Sequence, residues 1–80
     1  DTQLVVLSAE YGTDYQKIDV TRFLRRRVRD GRLEMKVENS ALGNSDPAPG
    51  VPKILWVSYS INGDQTQQLR VGEREWLSLP

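Results

Sequence analysis

The sequence predicts a mainly β domain: a small antiparallel β-sandwich of about six strands with one short helix and an immunoglobulin-like appearance. Apolar and charged residues alternate over 32–38, which is typical of a half-buried strand. A second alternating segment, 53–61, is followed by Asn62-Gly63, the strongest short-range signal for a β-hairpin. Helical spacing of apolar residues occurs in one segment, between residues 20 and 28.

The first strand is expected over Gln3–Tyr11, a segment rich in valine and leucine. Strict alternation would place Val5 and Leu7 on the same face as Ala9. A turn follows, because glycine, threonine and aspartate come directly after this segment. A brief second strand is expected over about residues 16–20.

The helix carries a single apolar stripe, formed by Val20, Phe23, Leu24 and Val28. Asp19 or Thr21 can accept a backbone N–H at the start of the helix, and Gly31 can adopt the left-handed conformation that ends it. Because the helix has only about two to three turns, packing must stabilise it rather than intrinsic propensity.

The carboxyl-terminal half is expected to form the remaining strands. The strand over 32–38 leads into a long irregular loop, 39–52, which contains three of the four prolines. Loops of this length are usually functional or mobile. The central strand over 53–61, a returning strand over 67–71 and a final strand over 76–79 then complete the sandwich.

Composition excludes several functions. The chain has 80 residues and is expected to be a single accessory domain, 1–80, excised from a larger protein. It has no cysteine and no histidine, so it lacks a thiolate nucleophile, a Cys-ligated zinc site and the usual neutral-pH proton shuttle. The acids and amides of the long loop lack calcium-loop spacing. We therefore expect no enzyme, no metal and no cofactor, and no apolar run is long enough to span a membrane.

A cluster of arginines on and after the helix is the most prominent charged feature: Arg22, Arg25, Arg26, Arg27, Arg29 and Arg32. Arg22, Arg25, Arg26 and Arg29 are candidate contacts for an anionic partner. Nucleic acid is not expected, because the net charge is zero and no exposed aromatic residue interleaves with the arginines. The simpler interpretation is a solvated helix face.

The two tryptophans are the candidate ligand-binding residues. Alternation places Trp56 and Trp76 on the outer faces of their strands, where they could stack on pyranose rings. Gln67 and Asn62 could bind sugar hydroxyls. The alternative is that the indoles cover a sheet edge or pack against a neighbouring domain.

A set of short motifs resembles a known family. In the amino-terminal half these are Tyr11-Gly12, Asp19-Val20-Thr21, Val28, Asp30 and Leu33; in the other half they are Asp46-Pro47, Lys53, Leu55-x-Val57-x-Tyr59, Gly63 and Leu77-x-Leu79-Pro80. The pattern is similar to the C-terminal domain of mitochondrial DnaJ-like proteins. The resemblance implies a relationship to bacterial accessory domains attached to larger, often secreted proteins, including sugar hydrolases. It implies no catalytic residue.

The leading hypothesis from the sequence is therefore a non-catalytic, monomeric domain of a bacterial secreted enzyme that binds polysaccharide through the two tryptophans. The alternative is a protein-interaction or spacer domain that packs on the rest of its own polypeptide. Binding of an anionic partner by the arginine helix is a third hypothesis.

Overall fold

The structure, a computed structural model, describes residues 3–43 and 49–79. The elements in chain order are β1 (Leu4–Gly12), β2 (Lys17–Asp19), the helix α1 (Thr21–Arg27), β3 (Leu33–Lys36), a 3₁₀ helix (Asn39–Leu42), β4 (Ile54–Ile61), β5 (Gln67–Gly72) and β6 (Trp76–Leu79). The predicted mainly β fold with six strands and one short helix is confirmed. No helix in the described ranges is long and apolar enough to cross a membrane.

The strands form two antiparallel sheets. The larger sheet has the order β2-β1-β4-β5, and the smaller pairs β3 with β6. Leu55, Val57 and Tyr59 of β4 and Leu77 and Leu79 of β6 are buried, as alternation predicts. The two inner faces therefore share one core, and the chain passes between the sheets after β2, after the 3₁₀ helix and after β5.

The first strand departs from strict alternation. Val5 and Leu7 are exposed, whereas Val6 and Ala9 are buried. The cause is a register shift against β4 between Val6 and Ser8, which makes Leu7 the extra residue of a β-bulge. The expectation that Val5 and Leu7 share a face with Ala9 was therefore wrong.

The end of the helix also differs from the expectation. The helix stops at Arg27, and Val28 is already extended. Asp30 and Gly31 both have positive φ, 53° and 74°, inside a tight turn in which Arg29 and Arg32 exchange backbone hydrogen bonds of 2.8 and 2.9 Å. Gly31 thus belongs to a two-residue hairpin turn, which Asp-Gly favours, and not to a helix cap.

The start of the helix is fixed against β1. The N–H of Thr21 donates to Asp19 Oδ1 at 2.9 Å, so Asp19 acts at the helix start as predicted. The hydroxyl of Thr21 accepts from the N–H of Ala9 at 2.9 Å, and the N–H of Val20 donates to the carbonyl of Ala9 at 2.9 Å. Val20 and Leu24 are fully buried beneath this contact, so the helix closes one side of the core.

Candidate functional site: a groove beside Trp56

Trp56 lies on β4 at the outer face of the larger sheet, and its side chain is half-buried. The Nζ atom of Lys17 lies 4.6 Å from the centroid of the indole ring. Glu10 on β1 and Arg70 on β5 are the register partners of Trp56. The cation–π contact restrains the ring, so Trp56 offers a partly exposed aromatic surface with charges of both signs around it.

A groove of about 590 Å³ opens beside this tryptophan, and we call it the Trp56 groove. It is lined by the turn 12–16, by Pro49, Val51 and Pro52, and by Ile54 and Trp56 of β4. Tyr15, within the turn, is 96% exposed, and Val51 is 47% exposed. The groove is therefore an apolar, aromatic surface that the fold leaves open to solvent.

The turn on one side of the groove is held by Thr13. The N–H of Thr13 donates to the carbonyl of Gln16 at 2.8 Å. The hydroxyl of Thr13 accepts from the N–H groups of Tyr15 and Gln16, each at 3.2 Å. These bonds fix the backbone of the turn while the ring of Tyr15 stays in solvent.

The other side of the groove is anchored by a buried lysine. Lys53 is 3% exposed, and its Nζ donates to the carbonyl of Val51 at 2.9 Å and lies 3.3 Å from Glu73 Oε1. The N–H of Glu73 donates to the carbonyl of Lys53 at 2.8 Å. Because a buried charge needs such partners, Lys53 holds Val51 at a defined place beside Trp56.

Trp76 lies in the other layer of the sandwich. It begins β6, points away from the buried Leu77 and is 70% exposed. A smaller hollow of about 300 Å³ adjoins it, lined in part by Arg27 and Lys36. Both indoles point away from the core that lies between the sheets, so Trp56 and Trp76 do not share a surface.

Gln67 and Asn62 do not join either tryptophan. Gln67 is paired with Tyr59 on the core side of β5, and its Oε1 accepts from the Tyr59 hydroxyl at 3.3 Å. Asn62 is in the β4–β5 hairpin with φ 56°, and its Oδ1 accepts from the N–H of Gln3 at 2.6 Å. Each of these amides has a structural partner within the domain.

The candidate arginines are divided among structural contacts. Arg25 donates to the carbonyls of Val6 and Leu7 at 2.9 and 3.3 Å. Arg29 donates to the carbonyls of Arg26 and Val28 at the end of the helix, and Arg22 lies over the ring of Phe23. Of the four candidate arginines, only Arg26 has a side chain that makes no such contact with residues 3–43 and 49–79. Three of the four candidate arginines therefore have partners within the domain.

The acidic residues offer no metal site in the part of the chain that the structure describes. The hydroxyl of Thr21 donates to Asp19 Oδ1 at 2.5 Å, and the hydrogen bonds from Thr21 lower the pKa of the Asp19 carboxyl below its ordinary value. Asp19 is therefore ionised at neutral pH and committed to the start of the helix, which leaves it no proton to donate as a general acid.

Comparison with known protein families gives a match over nearly the whole chain. The family described as DnaJ-like protein C11, C-terminal, matches residues 3–80. The chain belongs to this DnaJ-like family. The predicted resemblance is confirmed, and no curated protein or solved structure matches the chain.

Membership in the DnaJ-like family corrects the leading functional hypothesis. The hypothesis of a carbohydrate-binding module of a bacterial secreted enzyme was wrong, because the chain belongs to a family described as a DnaJ-like C-terminal domain. The predicted secretion was wrong for the same reason.

Sequence reasoning missed most of the Trp56 groove. Tyr15 was assigned neither to the predicted turn nor to the second strand, and Val51 and Pro52 were treated as parts of a long loop. A usable signal for Tyr15 was present, because an aromatic residue between Asp14 and Gln16 in a polar turn is expected to be exposed. Its proximity to Val51 depends on the pairing of β1 with β4, which no local pattern specifies.

Proposed function

We propose that this chain is a non-catalytic protein-interaction domain of a DnaJ-like protein, and that the Trp56 groove binds an extended apolar segment of another polypeptide. The observation that carries the proposal is the exposure of Tyr15 and Val51 beside Trp56 in a groove of about 590 Å³. Tyrosine and tryptophan are enriched where proteins meet, because they bury a large area with few rotatable bonds.

The size and chemistry of the groove support a peptide ligand. A volume of this order accommodates a few side chains. Apolar contacts from Val51, Pro52 and Ile54 would bury those side chains, while Gln16 and Lys17 near the rim could bind backbone carbonyls of the ligand. The absence of histidine and cysteine from the chain supports a role in binding rather than in catalysis.

The sharpest test uses Tyr15→Ala, because a side chain that is 96% exposed can be removed without loss of packing. Thermal unfolding first shows that the variants Tyr15→Ala, Trp56→Ala and Trp76→Ala are folded. Random peptides displayed on phage are then selected for binding to the unchanged chain and to each variant. We expect apolar peptides to be enriched on the unchanged chain and on Trp76→Ala, and affinity to fall about tenfold on the other two variants.

Selection of the same peptides with the same affinity on Tyr15→Ala and Trp56→Ala would contradict the proposal. Loss on Trp76→Ala alone would instead place the interaction on the smaller sheet and favour the packing of a neighbouring domain there.

A further inference from the structure

The two edges of the larger sheet are built differently. At one edge, β2 has only three residues, and two of them, Lys17 and Asp19, are charged. At the other edge, β5 has six residues, pairs with β4 without a register shift and contains neither proline nor lysine. Short length, charge, proline and bulges are the usual ways in which proteins close a sheet edge. The edge at β5 has none of them except the single charge of Arg70.

The hydrogen-bonding groups of the β5 edge can be assigned from its pairing. In antiparallel strands, pairs that exchange hydrogen bonds alternate with pairs that do not. The N–H of Glu73 donates to the carbonyl of Lys53. By the alternation, the backbone groups of Val71 and Leu69, two and four residues earlier, also point towards β4. The N–H and C=O groups of Gln68 and Arg70 therefore point away from β4. In the described ranges nothing pairs with them.

One end of this edge is closed by a local contact. The N–H of Gly72 donates to Glu75 Oε1 at 2.8 Å, and its carbonyl accepts from the N–H of Glu75 at 3.1 Å. These bonds agree with the alternation, because Gly72 also belongs to the residues whose backbone points away from β4. The open part of the edge therefore lies at Gln68 and Arg70.

The side chains at the edge specify what could pair there. Leu69 points towards the core side but is only half-buried, next to the buried Val71. Arg70 is exposed on the outer face and has no ion pair with a described residue. An added strand would cover Leu69 with an apolar side chain and would place an acidic side chain opposite Arg70.

We propose that β5 binds an extended segment of another protein as an added antiparallel strand, with apolar residues opposite Leu69 and Val71 and an acidic residue between them opposite Arg70. Backbone hydrogen bonds to Gln68 and Arg70 provide the affinity, and the alternating side chains provide the selectivity. This surface is distinct from the Trp56 groove, because no residue of β5 lines that groove, although Trp56 and Arg70 are neighbours on the outer face.

The test uses a capped synthetic peptide of sequence Thr-Val-Glu-Val-Thr-Val-Thr, which places glutamate opposite Arg70 and valines opposite Leu69 and Val71. Two matched peptides carry one N-methyl group each. N-methylation of the glutamate removes an N–H that points at β5, whereas N-methylation of the valine opposite Leu69 removes one that points away. Affinity is measured by fluorescence anisotropy, and the contact is located by NMR shifts of the Gln68 and Arg70 amides.

We expect the N-methylglutamate peptide to bind about tenfold more weakly than the parent peptide and the N-methylvaline peptide to bind within about twofold of it. Gln68→Pro removes only an outward N–H and should weaken binding, whereas Gln68→Ala keeps that N–H and should not. Arg70→Glu should reverse the preference towards a peptide with lysine in place of glutamate. Tyr15→Ala, which alters the groove at the turn between β1 and β2, should leave binding unchanged, and this separates the result from that for the groove.

Equal binding of the two N-methylated peptides, or amide shifts confined to other strands, would overturn the proposal. Dimerisation of the chain alone in sedimentation equilibrium, abolished by Gln68→Pro, would also overturn it, because the occupant of the edge would then be a second copy of this chain.

Discussion

Arg25 connects the helix to the bulge of β1 through the two side-chain hydrogen bonds that it donates to the carbonyls of Val6 and Leu7. A bulge leaves the carbonyls of the bulged strand without their usual ladder partners. The planar guanidinium supplies donors in a fixed geometry that can serve two adjacent carbonyls, which a lysine ammonium does not reproduce. One exposed arginine therefore supplies donors to two carbonyls at the point where the inward face of β1 changes register.

The first prediction concerns this residue. Arg25→Met should lower the free energy of unfolding by about 1–3 kcal/mol, because carbonyls that hydrogen-bond a charged group lose their partner. Urea denaturation measures the change. Arg26→Met is the matched control, since the Arg26 side chain makes no hydrogen bond or ion pair with a described residue, and it should change stability by less than about 0.5 kcal/mol. Equal effects of the two substitutions would show that the bulge does not depend on Arg25.

The turn between β1 and β2 requires a glycine at its first position. Gly12 has φ +151°, and a Cβ atom placed there would lie 2.0 Å from the carbonyl oxygen of Gln16. That oxygen accepts the hydrogen bond from the N–H of Thr13 that closes the turn. The geometry of the groove beside Trp56 thus depends on the lack of a side chain at this position.

The second prediction compares two glycines. Gly63 lies in the β4–β5 hairpin with φ +76°, and a Cβ atom added there has no neighbour within 4 Å. Gly63→Ala should therefore lower the free energy of unfolding by about 1 kcal/mol through the left-handed backbone alone. Gly12→Ala should lower the melting temperature further, because the clash with Gln16 adds to the backbone cost. It should also change the fluorescence of Trp56, which lines the same groove. Similar melting temperatures for the two variants would contradict this account.

How far each element could be predicted depends on whether its cause is local. The strands were predictable, because alternation such as Leu33, Met35 and Val37 reflects each residue's own environment. The bulge at Leu7 was not, since it is a feature of the pairing of β1 with β4 and is contacted by Arg25, and both partners are distant in sequence. The Trp56 groove was not predictable either, because the turn 12–16 and the segment 49–52 come together only through the pairing of β1 with β4.

At the scale of the whole molecule, the smaller sheet depends on the larger one. An isolated pair of strands is at best marginally stable in water. Here β3 and β6 contribute Leu33, Met35, Leu77 and Leu79 to the core that β1, β4 and α1 complete. The chain also crosses repeatedly between the two layers. The two sheets are therefore expected to unfold as one cooperative unit.

The third prediction tests this coupling. In a urea titration followed by NMR, the cross-peaks of Val57 in the larger sheet and Leu77 in the smaller sheet should disappear with the same midpoint. Leu77→Ala should lower the free energy of unfolding by about 2–5 kcal/mol, because Leu77 is only 1% exposed. The free energy of unfolding of an 80-residue chain is about 4–12 kcal/mol in total, so this loss is a large part of it. Because the two sheets unfold as one unit, the midpoints of both should fall together. If the variant lost only the cross-peaks of β3 and β6 while Val57 kept its original midpoint, the larger sheet with the Trp56 groove would be an independent folding unit. The smaller sheet would then contribute nothing to the stability of the groove.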